Sequence, residues 1–153
     1  MNQEQQATQA LEAAARRRRE LRDALVVLED AVASSVHDPE RWRLRVAARL
    51  LGLREAFAEH VAETEATGGL YDEMEEIAPH VHGKARRLRE EHPPLTGAIV
   101  DAIARFDTPF PEATDLNALR DDLQRLMGRL IRHRQHGADL VWEAYQLDIG
   151  GAG

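Results

Sequence analysis

The sequence predicts an all-α protein built as an antiparallel up-down-up-down four-helix bundle. Three observations carry that expectation. Four long segments repeat apolar residues at alternating spacings of three and four, the period of a helix buried along one face. The connections between them are short and hold proline, glycine and aspartate turn signals, which favours antiparallel neighbours. Alanine, leucine, arginine and glutamate dominate the composition while aromatic residues make up only 5%, a balance that suits helices. No alternating strand pattern and no internal repeat competes with this reading.

The first segment runs from about Thr8 to Ser35, with the seam Leu11, Ala14, Arg18, Leu21, Leu25, Leu28 and Val32. "SSVHDPE" breaks it, and Asp38 followed by Pro39 and Glu40 reads as the next helix start. The second segment runs from about Pro39 to Thr67, with seam Val46, Leu50, Leu53, Phe57, His60 and Thr64, and Gly68 with Gly69 ends it. "LYDEMEEIAP" predicts a short helix that stops before Pro79. The third long segment, from about His80 to Phe106, carries Val81, Ala85, Leu88, His92, Leu95, Ile99, Ala102 and Phe106 on one face. Pro93 and Pro94 predict a kink or restart directly after His92, because each removes a helical hydrogen bond. "DTPFPEATD" is a loop that offers Thr114 or Asp115 as an N-cap. The fourth segment, from about Leu116 to Leu147, carries Leu116, Leu119, Leu123, Leu126, Leu130, His133, Gly137, Leu140, Ala144 and Leu147, after which "DIGGAG" frays.

The 153 residues predict one domain, 1–153, with an ordered core over about 8–148. There is no cysteine, which excludes a disulfide framework, a thiolate nucleophile and a thiolate metal site, and fits a reducing, cytoplasmic location. A net charge of -7 disfavours nucleic-acid binding, since phosphate needs a basic face. No apolar run approaches a membrane span, so no membrane role is expected. The start "MNQEQQATQA" lacks the basic-then-apolar pattern of a secretory signal. There is no phosphate-binding glycine loop, dinucleotide fingerprint or serine nucleophile elbow. The partner is unassigned, with a homodimer as one open reading.

Every seam is interrupted by polar or missing side chains: Arg18 in the first, His60 and Thr64 in the second, His92 in the third, His133 and Gly137 in the fourth. A polar side chain left in a core stripe is costly unless it finds a partner. Four such interruptions predict that they meet, and the interior of a bundle is where facing helices build metal sites. The competing reading of each single histidine is a boundary ring bonded to a neighbour. The run Arg16 to Arg19 likewise reads as a solvated surface along which Arg18 snorkels.

These residues resemble the hemerythrin-like, or HHE cation-binding, domains. "FAEHVAETE" resembles that family's second-helix His-x-x-x-Glu, "LREEHPPL" its third-helix Glu-His, and "LIRHRQHGADL" its fourth-helix His-x-x-x-Glu. "DALVVLEDAV" is similar to the stretch just after its first-helix histidine, so the likeness spans about Leu11 to Asp148. The resemblance implies a four-helix bundle that holds two irons on histidines and carboxylates, in proteins that bind oxygen or sense iron or redox state. Carried over residue by residue, it assigns His60, His92 and His133 as metal ligands. Three positions depart from the family pattern: Arg18 stands near the first-helix histidine, Thr64 at the second-helix glutamate and Gly137 at the fourth-helix carboxylate.

Three neutral imidazoles can hold one ion, as three-histidine zinc sites do, but match a two-iron centre poorly. Glu63, one turn from His60, and His136 and Asp139, beside the fourth seam, are the additional ligands within reach. Glu65 points away from the His60 face. The alternative is an arginine-centred network in which Arg18 replaces the metal, Gly137 leaves room for the guanidinium, and Thr64 with the histidines accepts hydrogen bonds. The expected cofactor is therefore one iron or zinc ion, or none. Three functions follow in order of preference. The first is a non-enzymatic binding or sensing protein with a reduced histidine site. The second is a non-haem iron oxygen-binding, oxidase or peroxidase-like metalloprotein that recruits nearby carboxylates. The third is a metal-free scaffold or interaction module. His80 and His82 read as exposed loop histidines, and Trp142 and Tyr145 as the closure of one end of the core.

Overall fold

Three of the four long helices begin where a side chain satisfies a free backbone N–H group of the first turn. In the computed structural model, which describes residues 2–151, with residue 7 and residues 147–151 described by their backbone course, α1 spans Gln3–Ala33. It starts earlier than the seam predicts because Asn2 and Gln5 form a capping box: Asn2 Oδ1 accepts from the Gln5 N–H at 2.8 Å, and the Gln5 side chain accepts from the Asn2 N–H at 3.1 Å. α2, Pro39–Glu65, is opened by Asp38, whose carboxylate accepts from the Arg41 N–H at 3.1 Å. α3 spans Leu70–Ile77 and leads into a single tight turn, Pro79–Val81, from which α4, His82–Phe106, continues. α5, Leu116–Gly151, is capped by Asp115, which accepts from the Ala118 N–H at 3.1 Å. It extends past the expected end, while residues 152–153 and the Leu147 side chain lie outside what is described.

The chain reverses after α2 at Gly68, whose φ of 72° is open to glycine at little cost. Gly69 is held to a glycine for a different reason: a Cβ there would lie 2.6 Å from the Glu63 carbonyl oxygen. Contrary to expectation, α4 runs through Pro93 and Pro94 without ending. Both prolines are exposed, so the unmade hydrogen bonds fall on the solvent side, and His92 stays in register with Leu88 and Leu95.

Each long helix packs on two others, α1 on α2 and α5, and α4 on α2 and α5, and α3 lies against one end. Polar ties run along each junction. Arg17 meets Glu59 at 2.7 Å between α1 and α2, and Arg43 donates to the Phe106 carbonyl at 2.7 Å between α2 and α4. Arg105 pairs with Asp122 at 3.0 Å between α4 and α5, and Arg120 donates to the Val32 carbonyl at 3.0 Å between α5 and α1. Among the described residues there is no strand, and no helix is long and apolar enough to cross a membrane.

The predicted seams face inward, and they divide into two apolar blocks. The larger holds Leu21, Leu28, Leu50, Leu53, Phe57, Leu95, Ile99 and Leu130, and ends at Trp42, packed edge-on to Phe106 at 5.6 Å. The smaller holds Ala14, Tyr71, Met74, Ala85, Leu88, Leu140 and Ala144. Each leucine-sized side chain buried this way contributes about 1.5–3 kcal/mol. Trp142 is 67% exposed and does not close the core, a correction to the sequence reading; Tyr145 alone packs against the smaller block.

Candidate metal centre

The polar interruptions fall at the level between the two blocks. On α4, His92 lies one turn from Leu88 and one from Leu95; on α5, His133 lies between Leu130 and Leu140. Period and packing together therefore force three rings into one layer, and His60, His92 and His133 are each no more than 5% exposed.

The rings meet through their Nε2 atoms. His133 Nε2 lies 3.2 Å from His60 Nε2 and 3.2 Å from His92 Nε2. Two nitrogens each bonded to one tetrahedral zinc-like ion lie about 3.3 Å apart, so the spacing is that of ligands sharing an ion. Two outer nitrogens carry carboxylates: Glu91 lies 2.7 Å from His133 Nδ1 and Glu65 lies 3.1 Å from His92 Nδ1. A carboxylate accepts only, so each of these Nδ1 atoms holds the ring hydrogen and each Nε2 presents a lone pair. That leaves the His60 ring to supply one hydrogen for two Nε2–Nε2 contacts. One contact then sets lone pair against lone pair unless a cation lies among the rings. Burial, reinforced by His133, His92 and Arg18, pushes the His60 imidazole down to about 3, and burial also lowers His92. Both effects oppose a proton there and leave the nitrogens free for a metal. Phe57 walls the layer on one side, its ring within 5.9 Å of all three imidazole centres.

Three groups at the centre were not picked out by seam position. Glu65 does turn from the His60 face, yet it reaches across to His92 on α4. Glu91 reaches His133 on α5 from the position before His92. Tyr71, on α3, stacks on His92 and holds its hydroxyl 3.4 Å from His92 Nε2. Burial raises the phenol, so it remains a hydroxyl that can donate. The Glu-Glu-His run and the acids flanking His60 carried a faint signal for the carboxylates; nothing in the periodicity signals Tyr71.

The other expected ligands lie elsewhere. Glu63 is half-buried on the Arg17 side of α2. His136 is exposed at the mouth of an outer groove, and Asp139 is exposed and accepts from the Gln135 amide at 2.9 Å. That groove, about 230 Å³ between α4 and α5, is bordered by Glu91 and His133. His80 and His82 are exposed, as expected, beside Glu143 and Glu75.

Arg18, Thr64 and Gly137 all line one small cavity that His60 and His133 also border. The Thr64 hydroxyl is spent on its own helix, donating to the His60 carbonyl at 2.9 Å. Arg18 Nη1 is buried and has no hydrogen-bond partner among the described residues, so the expected arginine-centred network is not formed. No protein family, curated protein or solved structure matches this chain.

Proposed function

We propose that the chain is a divergent hemerythrin-like bundle, antiparallel in up-down-up-down order, that binds one transition-metal ion on His60, His92 and His133 and serves in binding or sensing rather than catalysis. The ties along the junctions support that order. The start of one helix meets the end of its neighbour, as in Arg43 early in α2 with Phe106 at the end of α4, and Arg105 late in α4 with Asp122 early in α5.

The observation that carries the metal reading is the meeting of three Nε2 atoms with one hydrogen to share between two contacts. Carboxylates on the outer nitrogens of His92 and His133 are the usual means of fixing a ligating imidazole and raising its basicity. Three imidazoles suit zinc, iron, copper or nickel. They do not suit two irons. The candidate ligand cluster consists of the three histidines alone, Glu65 and Glu91 are engaged on ring nitrogens, and Arg18 adds a cation nearby. A single ion would supply Lewis acidity at this layer, while the chain's own residues bury the three rings and oppose a proton on His60 and His92.

Elemental analysis after zinc, ferrous iron or cobalt loading and desalting tests the reading. One ion per chain, lost in His133→Ala, is expected. Two irons per chain, or no retained metal from any of the three, overturns it.

A further inference from the structure

The cavity beside the rings is chemically one-sided. Arg18 and Arg134 contribute cations to its wall, His60, His133 and Tyr71 contribute polar groups, and no carboxylate borders it. It is small, about the size of a single water molecule. Two of the polar groups around it lack partners: Arg18 Nη1 and His60 Nδ1 are both buried without a hydrogen bond, and His60 is only 5% exposed. Arg18 is half-buried, but its Nη1 donor is shielded and no carboxylate shares the cavity, so the two cations of the wall favour a negative ligand there. Gly137 keeps the space open. It follows His133 by one turn, and a Cβ placed there would meet nothing within 4 Å.

We infer that this cavity binds a small monovalent anion, held by the Arg18 guanidinium beside the histidine layer. Arg18 donates through Nη1. His60 Nδ1 is a second donor once its Nε2 faces an ion, and the Tyr71 hydroxyl, buried against His92, is a third donor on the same wall. The anion's contact with a metal ion rests on the reading above; its capture by Arg18 does not. Charge also favours it. A divalent ion, Glu65 and Glu91 together sum to zero, which leaves the Arg18 and Arg134 cations at the cavity wall without a carboxylate.

Bromide is the probe, with sodium sulfate holding ionic strength constant. In cobalt-loaded protein, bromide shifts the visible d–d bands saturably. Arg18→Met retains cobalt but weakens bromide on the order of tenfold to a hundredfold, the scale of a lost charge-assisted hydrogen bond. Gly137→Ala narrows the cavity and weakens bromide in the same direction, which covers the case of an Arg18 variant that does not fold. Bands that stay fixed together with melting curves that bromide does not shift, or equal affinity in both variants and the parent, overturn the inference. Failure of cobalt to bind overturns the metal reading instead, and metal-free melting curves then decide. Saturable stabilisation by bromide that Arg18→Met loses upholds the anion site, and no difference between the two proteins refutes it.

Discussion

Replacing Glu91 with glutamine isolates what the outer carboxylates contribute. Glu91 lies 2.7 Å from His133 Nδ1, whereas Glu65 lies 3.1 Å from His92 Nδ1. Glutamine keeps an oxygen that accepts the ring N–H and removes the charge, so ring orientation survives while basicity at Nε2 falls. Changes of this kind cost about 10–100-fold in metal affinity, or about 1.4–2.7 kcal/mol. The shorter contact places Glu91→Gln in the upper part of that range and Glu65→Gln in the lower. The Glu91 side chain is 41% exposed, so solvent screening limits the cost to the metal-free protein to about 1 kcal/mol or less. Competition against a chromogenic zinc chelator measures the first quantity, and urea melts of the metal-free protein measure the second. Wild-type zinc affinity in Glu91→Gln, alongside loss of zinc in His133→Ala, would refute the tuning argument. A loss of more than about 3 kcal/mol of metal-free stability would refute it differently, by showing that the carboxylate holds the fold.

His60 makes the metal-free protein acid-sensitive. Its imidazole takes a proton at about 3 when folded and near 6.5 when unfolded, so its share of stability is whole above pH 6.5 and drains as pH falls toward 3. The slope is about 1 kcal/mol per pH unit, His92 adds in the same direction, and urea midpoints that stay flat below pH 6.5 would contradict this. Leu130→Ala, at a fully buried position in the larger block, is expected to cost about 2–5 kcal/mol in the same assay. Pro94→Ala restores a hydrogen bond inside α4 at an exposed position; an interior proline costs about 3 kcal/mol and its removal loosens the unfolded chain by about 1, so a gain near 2 kcal/mol is expected.

The helices and their buried faces were legible because helical periodicity reports burial, and the members of the second and third seams, His60 and His92 included, are all buried. Periodicity placed His60, His92 and His133 on inward faces but not at one depth; their common level is set by how the helices pack between the two apolar blocks. Glu65, Glu91 and Tyr71 were less legible because their roles lie across helices. Which way a side chain one step off the seam leans depends on the rotation of the partner helix, which one helix's pattern does not encode. The proline pair misled for a related reason. The local rule counts lost hydrogen bonds but not whether the bare carbonyls face water. Arg43 was hidden likewise: it is buried in the second helix with its guanidinium on Glu40 and the Phe106 carbonyl.

A bundle interrupted at mid-height by rings has a fault line. On one side stands a thick hydrophobic block closed by Trp42 and Phe106, on the other a thinner one roofed by α3. An ion gripped by α2, α4 and α5 at once acts as a rivet through that line. Loading should then slow amide exchange in α3 and in the early turns of α4 far more than around Leu50 or Ile99, converting two loosely joined halves into a single cooperative body.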